Sequence, residues 1–369
     1  MPAFPSICEV SNYFEDTTRA DTPGPRGTPG DSPMRFSVAI PSCMEGLIYP
    51  YPFANPRQII RIAVEAEAMG YEAVWPNDHI TTQNYVARMW PKPPRFYEPF
   101  VLLSFIAAAT KTIKLATGVA VLPVREPIIL AKTAATLDVC SGGRVILGVG
   151  LGAYREEYRA VNPGGAPHRG KLMDERIAAI RALLHDRKAT FQGEYVRFRN
   201  VEMYPKPVQK KMPIYIGGNS WDGVERAGRY ADGWFPAILT PEEIAERVKR
   251  IKVVAKEANR SIRRIDIAPQ LGVTLARTES QARRTFQASQ LRHHLQSLRK
   301  STLKDQTLSD FGANNLIGTP AQVIDRIGEY QDAGATHLAG IMFGVNSVRA
   351  FLSQMERFAA HVMPAFRRR

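Results

Sequence analysis

The distribution of apolar residues predicts short buried strands that alternate with longer helices. Ile113–Val119 and Val145–Val149 are largely apolar, and a helical pattern follows each of them. Strands that are apolar on both faces are typical of a parallel sheet covered by helices. Glycines lie at their carboxyl ends, where they let a flat ligand or a phosphate approach the backbone closely.

The same alternation continues along most of the chain and gives eight strand–helix units. We therefore predict the α/β class and a (β/α)8 TIM barrel with insertion segments, with its chemistry at the carboxyl ends of the strands. The predicted strands are Arg35–Ile40, Ala73–Trp75, Ile113–Val119, Val145–Val149, Pro213–Ile216, Gly233–Phe235, Ile265–Leu275 and Thr336–Met342.

Three segments interrupt this regular pattern. Ile80–Glu98 is predicted to be a long irregular connection, and Phe191–Arg199 a small hairpin. A basic, mainly helical insertion is predicted from Ser280 to about Leu308, and His293 and His294 within it are expected at the surface. The sequence also predicts one helix start, because Thr240 and Glu243 have the spacing of a capping box.

Composition sets the domain organisation and the expected location. Residues 1–33 are rich in Pro, Gly, Asp and Thr, which predicts a disordered N-terminal extension before a single domain over 34–369. The chain has no apolar run long enough to span a bilayer, so no membrane partner is expected. Its three cysteines have no CxxC spacing, which favours a reduced, cytoplasmic location.

The net charge of +14 has two principal interpretations. Basic residues interleaved with acidic ones, such as Arg247 and Lys249 beside Glu246, are typical of solvated helix faces. A basic groove that attracts an anionic small ligand is the second interpretation. Nucleic acid is not expected as a partner, because no recognition motif is present.

Candidate chemistry first appears after the second predicted strand, at Asp78-His79. A histidine at the mouth of a barrel can act as a general acid or base, and the adjacent aspartate could fix its tautomer or hold the loop. A metal site is not expected, because the other histidines form no HxH or HExxH pattern. A serine hydrolase is unsupported, because the chain has no GxSxG elbow.

Two glycine-rich turns suggest where a ligand would lie. Gly148–Gly152 lacks the spacing of a dinucleotide fingerprint, and we interpret it as backbone against which a flat ring lies. Gly217-Gly218-Asn219-Ser220 precedes a helix that begins at Trp221. Free amides at such a helix terminus bind anions, and the side chains of Asn219 and Ser220 would add donors.

Several motifs in the same order resemble the luciferase-like monooxygenase superfamily, specifically its branch of deazaflavin-dependent oxidoreductases. The matching blocks are AVWPNDHI (Ala73–Ile80), LATGVAVLPVREPIILAKTAATLD (Leu115–Asp138), SGGRVILGVGLGAYREEY (Ser141–Tyr158), HRGKLMDE (His168–Glu175), PKPVQKKMPIYIGGNS (Pro205–Ser220) and RYADGW (Arg229–Trp234). The resemblance covers about Met34 to the C-terminus.

This resemblance implies a commonly dimeric barrel that binds coenzyme F420, a 5-deazaflavin, or alternatively FMN at its mouth. It places His79 near the reactive edge of the ring, and a bulge with a non-proline cis peptide at Gly118–Val119 behind the ring. It assigns phosphate binding to the Gly217–Ser220 turn. The implied cofactor contacts are Gly118, Val119, Gly150, Gly152, Tyr154, Gly217, Gly218, Asn219 and Ser220.

One residue departs from the resemblance. Deazaflavin-dependent sugar-phosphate dehydrogenases of this superfamily have a glutamate acid where this chain has Ala153, so that activity is not expected. Glu156 and Glu157, one helical turn further on, are expected to face solvent.

The resulting hypothesis is an oxidoreductase that transfers a hydride between F420 and a small organic substrate. His79 would act as the proton donor or as a residue that stabilises the ring, with support from Asp78. Tyr49, Trp90 and Phe343 would form the substrate wall. The alternative is a two-component monooxygenase that takes FMNH2 from a separate reductase. A non-catalytic barrel that binds an anionic ligand or nucleic acid is the rival from another class. A homodimer is expected from the resemblance alone.

Overall fold

The computed structural model describes residues 33–90, 92–163, 168–298 and 314–367. The predicted N-terminal extension lies outside the described residues, apart from Pro33. The end of the predicted basic insertion also lies outside them.

Strands β1 to β13 follow one another along the chain and are mostly short. They are β1 (Arg35–Ile40), β2 (Ala73–Pro76), β3 (Lys114–Ala116), β4 (Ala120–Val121), β5 (Val145–Gly150), β6 (Ala189–Gln192), β7 (Arg197–Val201), β8 (Ile214–Gly217), β9 (Gly233–Phe235), β10 (Asp266–Ile267), β11 (Gly272–Leu275), β12 (Leu316–Gly318) and β13 (His337–Phe343).

Helices separate these strands. They are α1 (Pro56–Ala68), α2 (Asn84–Met89), α3 (Pro99–Ala109), α4 (Pro127–Cys140), α5 (Arg155–Val161), α6 (Arg169–His185), α7 (Trp221–Tyr230), α8 (Pro241–Glu257), α9 (Glu279–Gln287), α10 (Gln290–Leu298), α11 (Pro320–Asp332) and α12 (Val348–His361). None of these described helices is both long and apolar enough to span a lipid bilayer.

Parallel pairing closes the main sheet into a barrel, as predicted. β13, β1, β2, β3, β5, β8 and β9 are neighbours in that order. β10 pairs with β9, and the backbone amides of Thr336 and Ala339 donate to the carbonyls of Ile267 and Pro269 at 2.9 and 3.1 Å. These hydrogen bonds join the β10 segment to the β13 segment and complete the circle.

Two predicted strands are interrupted. The seventh runs as β10 and β11 rather than continuously, because Pro269 between them has no amide hydrogen to donate to a ladder. The third stops at Ala116 and resumes as β4. In the gap, the Thr117 hydroxyl donates to the Gly148 carbonyl at 2.7 Å and the Gly118 amide to the Pro76 carbonyl at 2.9 Å.

Other predictions on the connections have mixed outcomes. The hairpin is confirmed as β6 and β7, and so is the capping box that begins α8. The connection predicted to be irregular over Ile80–Glu98 contains the short helix α2, and the short strand β12 was not predicted.

Candidate functional site

His79 lies at the carboxyl end of β2 and is held by a buried carboxylate. Its Nδ1 lies 3.1 and 3.2 Å from the two carboxylate oxygens of Glu157, on α5. The Ile80 amide donates to the same carboxylate at 3.0 Å, and the Gln83 amide group also contacts Nδ1 at 3.0 Å. A carboxylate can only accept, so this contact favours a proton on Nδ1. Nε2 has no hydrogen-bond partner among the described residues and is left for a ligand.

Glu157 is buried, so the expectation that it faces solvent is wrong. The residue is only 4% exposed, and its carboxylate contacts the loop that follows β2. Glu156 is partly exposed and accepts the amide of Asn84 at 3.4 Å. The two adjacent glutamates therefore have different surroundings, and only Glu157 contacts the histidine.

Asp78 is turned away from His79 and binds an arginine. Its carboxylate accepts two hydrogen bonds from Arg125, both at 2.7 Å, and one from the Val121 amide at 2.9 Å. Arg125 also donates to Glu98 at 2.8 Å. Burial alone would lower the pKa of Arg125, but Asp78 raises it above its ordinary value. Asp78 lines the cavity, yet its contacts assign it to holding the loop after β2, the segment from β4 to Arg125 and the start of α3 together.

The floor of the site forms where three neighbouring strands end. The Gly118–Val119 peptide bond is cis, as the resemblance implied. The Val119 side chain packs so closely that a β-carbon added at Gly150 would lie 2.5 Å from it, and one added at Gly217 would lie 2.8 Å from it. Glycines at these two positions therefore give Val119 the room to form a flat apolar floor.

The turn after β8 and the first residues of α7 form the part of the site that is suited to an anion. Ser220 is the N-cap of α7 and accepts the Gly223 amide at 3.2 Å. Asn219 uses both ends of its side-chain amide on the backbone of Ala237, at 2.8 and 2.9 Å, so it positions the turn and is not a free donor as expected. A β-carbon added at Gly218 would meet no atom within 4 Å and would point into open space.

Arg247 lies beside the turn after β8 and adds a positive charge to it, although its sequence pattern predicted a solvated helix face. The residue is 8% exposed and donates from Nε to the Asn219 carbonyl at 3.1 Å. Its guanidinium lies 5.1 Å from the centre of the Trp221 ring. The helix terminus and this cation lie at the same end of one cavity, a combination that favours phosphate.

These features surround one cavity of about 590 Å³, which is in the range of sites for small molecules and cofactors. It contains eight of the nine implied cofactor contacts. The residues that line it are Asn77, Asp78, His79, Gly118, Val119, Val121, Gly150, Leu151, Gly152, Ala153, Met173, Ile216, Gly217, Gly218, Asn219, Ser220, Trp221, Asp222, Gly223, Arg226, Phe235, Ala237, Arg247 and Gln270.

The remaining predicted residues lie at different distances from the site. Tyr154 is outside the cavity lining, but its ring centre lies 5.5 Å from that of His79. Tyr49 and Phe343 are completely buried in the hydrophobic core, so neither forms the expected substrate wall. Their aromatic rings pack against other rings, which makes them core residues. Trp90 donates its indole hydrogen to the Gly46 carbonyl at 3.1 Å and does not line the cavity.

The sequence interpretation missed two aromatic or imidazole rings near His79. Phe96 lies 5.6 Å away between ring centres. His294 on α10 was expected at the surface, but burial, and secondly the nearby charge of His79, lower its pKa to about 3. No local motif could have revealed it, because α10 reaches the barrel mouth through tertiary packing.

Two other kinds of chemistry lack support in the described part of the chain. No group of three or more His, Cys, Asp or Glu side chains there could hold a metal ion. Cys43 lies near His79, but burial raises the pKa of its thiol to about 12, and it donates to the Tyr97 carbonyl at 3.1 Å. A thiol held in this state is a poor nucleophile.

Comparison with known proteins identifies the family. Residues 34–337 match the family described as luciferase-like monooxygenase. The chain belongs to this family. An uncharacterised protein of Mycobacterium tuberculosis is 33% identical over 214 residues, which cover 55% of this chain and 73% of that protein.

Two further comparisons concern a relative by sequence and a solved structure of similar fold. The F420-dependent glucose-6-phosphate dehydrogenase of Kineococcus radiotolerans is 27% identical over 327 residues, which cover 85% of this chain and 94% of that enzyme. The crystal structure of the monooxygenase RslO1 from Streptomyces bottropensis has a TM-score of 0.75 at 20% identity, over 90% of this chain and 100% of that one. The second likeness concerns the fold alone.

Proposed function

We propose that this protein is an F420-dependent oxidoreductase that transfers a hydride between the deazaflavin and a small organic substrate. The observation that carries the proposal is His79, held by Glu157, in the same cavity as the start of α7, a helix terminus suited to an anion. An F420-dependent relative that aligns over 85% of this chain supports the choice of cofactor.

The residues present fit a phosphate-bearing ring system. The apolar floor at Val119 can support one face of a flat ring, and the open space at Gly218 lets a phosphate reach the free amides of α7. When bound, a deazaflavin supplies a two-electron hydride carrier that activates oxygen poorly. The protein's part is to bind, orient and manage protons.

Proton transfer is assigned to Nε2 of His79. When the substrate is reduced, a protonated imidazole can donate from Nε2 to the substrate oxygen or nitrogen; when it is oxidised, a neutral imidazole can accept that proton. Glu157 holds Nδ1 through either step and stabilises the charged ring, because the two groups are 3.1 Å apart and largely shielded from water. Ala153 adds no second acid to the site.

Cofactor titration tests the proposal. Apo-protein is titrated with F420 and with FMN, each oxidised and reduced, by fluorescence quenching. Micromolar F420 binding that survives competition by FMN supports the proposal. His79→Gln should then bind F420 with near-normal affinity but lose about 100-fold or more in hydride-transfer rate, because general acid–base groups contribute at least this much.

The competing function has its own clear outcome. Preferential binding of reduced FMN, with oxygen consumed when substrate is added, would overturn the proposal and favour a two-component monooxygenase with a separate reductase. Binding of neither cofactor would leave an anion-binding barrel without this chemistry.

A further inference from the structure

A second cavity of about 370 Å³ lies beside the first, on the side of α5 and α6. Leu151, Asp222 and Arg226 line both cavities, so the two spaces adjoin along the start of α7. The residues that line the second cavity are Leu151, Arg155, Tyr158, Arg159, His168, Arg169, Gly170, Asp222 and Arg226.

Positive charge dominates this second cavity. Arg155, Arg159 and Arg169 form no ion pair with a carboxylate in the described part of the chain, whereas Arg226 is paired with Asp174 at 2.7 Å. Asp222 is the one carboxylate in the lining. Three guanidinium groups that have no ion pair with a described residue therefore share the cavity with a single carboxylate, and this excess favours a ligand with several negative charges.

Arg169 fixes one of these charges at the border of the two cavities. Its Nη1 donates to the carbonyl of Gly152, a lining residue of the first cavity, at 3.3 Å. Its guanidinium lies 5.9 Å from the centre of the Tyr158 ring. Burial, and secondly the charge of Arg155, lower the pKa of Arg169, so the two cations are close enough to repel each other. A bound anion would relieve that repulsion.

We propose that this second cavity binds the oligoglutamate tail of the deazaflavin cofactor. The proposal rests on the proposed function. A phosphate at the start of α7 would lie where the two cavities adjoin, so groups attached beyond the phosphate can continue past Asp222 and Arg226 into the second space. Successive tail carboxylates match guanidinium groups, which bind carboxylates by paired hydrogen bonds. FMN ends at its phosphate and makes no use of this cavity.

Dissociation constants for a series of ligands test this assignment. The series is the deazaflavin chromophore without phosphate, F420 stripped of its glutamates, short-tailed F420 and long-tailed F420. The variants are Arg155→Ala, Arg159→Ala and the double substitution. Arg263→Ala is the matched control, because Arg263 is exposed and precedes β10 at the opposite end of the barrel.

The expected result is a loss that depends on the tail. Each single variant should bind long-tailed F420 about three- to tenfold more weakly, and the double variant should lose more, with unchanged affinity for the stripped cofactor. The control should match the wild type throughout. Added salt should reduce the ratio of the wild-type dissociation constants for stripped and long-tailed F420, because salt screens exposed charges.

Three results would count against the assignment, and they can be told apart. Equal affinity of the wild type for stripped and long-tailed F420 would overturn the tail site while leaving the proposed function intact. Failure of every deazaflavin to bind would overturn both. Equal losses for stripped and long-tailed cofactor in the arginine variants would assign these residues to the phosphate and not to the tail.

Discussion

At the scale of single residues, the pair of adjacent glutamates on α5 offers a matched test of the site. Glu157→Gln should lower the hydride-transfer rate by about 10- to 100-fold, because a neutral amide no longer stabilises the protonated His79 ring. Single-turnover absorbance of F420 measures that rate.

Glu156→Gln is the control for this comparison, since Glu156 lies one position away and does not contact His79. It should retain the wild-type rate. Equal rates for all three proteins would remove Glu157 from the mechanism.

A second residue-scale prediction concerns Arg247. Arg247→Lys keeps a positive charge but loses the planar group over Trp221 and the fixed Nε bond to Asn219. The dissociation constant for F420 should rise about tenfold, and that for the chromophore without phosphate should not change.

Lys252→Arg on the same helix is the control, because Lys252 is exposed and lies outside the cavity. Equal weakening of both ligands by Arg247→Lys would assign Arg247 to the fold of the turn and not to phosphate binding.

Sequence patterns predicted the site residues that follow strands. They did not predict the site residues that lie on helices and reach the cavity only through tertiary packing. His79 and the glycines at 118, 150 and 217 follow strand patterns directly, so their meeting at one end of a barrel could be anticipated. Glu157 and Arg247 lie on amphipathic helices, where a charged residue is normally solvated, and only tertiary packing turns them inward. Tyr49 and Phe343 failed as substrate contacts for the opposite reason, since an aromatic residue near a strand end can equally well enter the core.

At the scale of elements, Glu45 joins the loop after β1 to the connection before α3. Its buried carboxylate accepts from Phe53 at 2.9 Å and from Arg95 at 2.5 and 3.0 Å. Burial alone would raise the pKa of Glu45, but the bonds from Arg95 and the backbone hold it below its ordinary value. The charged form therefore stabilises the folded state above the ordinary pKa, and this stabilisation is lost as pH falls through the lowered one.

Glu45→Gln should lower the free energy of unfolding by about 1–3 kcal/mol near neutral pH, and the difference from wild type should shrink as the solution becomes acidic. Urea titrations at several pH values measure it. Glu65→Gln, which alters an exposed pair with Arg61, should change stability little at any pH. A deficit for Glu45→Gln that stays constant with pH would contradict the linkage.

Helix and strand boundaries could be predicted where a few adjacent residues determine them. The Thr240 capping box was predicted correctly, because a cap depends on a few adjacent residues. The interruption of the third strand at Thr117–Val119 was readable only through the family resemblance. Its hydrogen bonds go to β2 and β5, and a single segment cannot reveal them.

At the scale of the whole molecule, α3 and α4 expose an apolar face. Val101, Phe105 and Ile129 are 59, 62 and 66% exposed on these two neighbouring helices. Exposed apolar patches of this kind are typical of protein interfaces. We expect the homodimer implied by the family resemblance to use this face.

Phe105→Glu should shift the protein from dimer to monomer at micromolar concentration, because a dimer would bury the new charge. Size-exclusion chromatography with light scattering measures the mass. Val253→Glu is the control, since Val253 is 47% exposed on α8, away from this face. A dimer that persists in Phe105→Glu, or a wild type that is monomeric, would reject this interface.

The contact of Val119 with Gly150 and Gly217 has a consequence for how this site can change in evolution. A larger residue at 150 or 217 meets Val119 at less than 3 Å, so it is tolerated only after position 119 has become smaller. Substitutions here therefore depend on their order, and relatives with alanine at the position of Gly150 should carry a smaller residue at the position of Val119. The cavity floor is inherited as a set of three residues, one each from β5, β8 and the segment between β3 and β4.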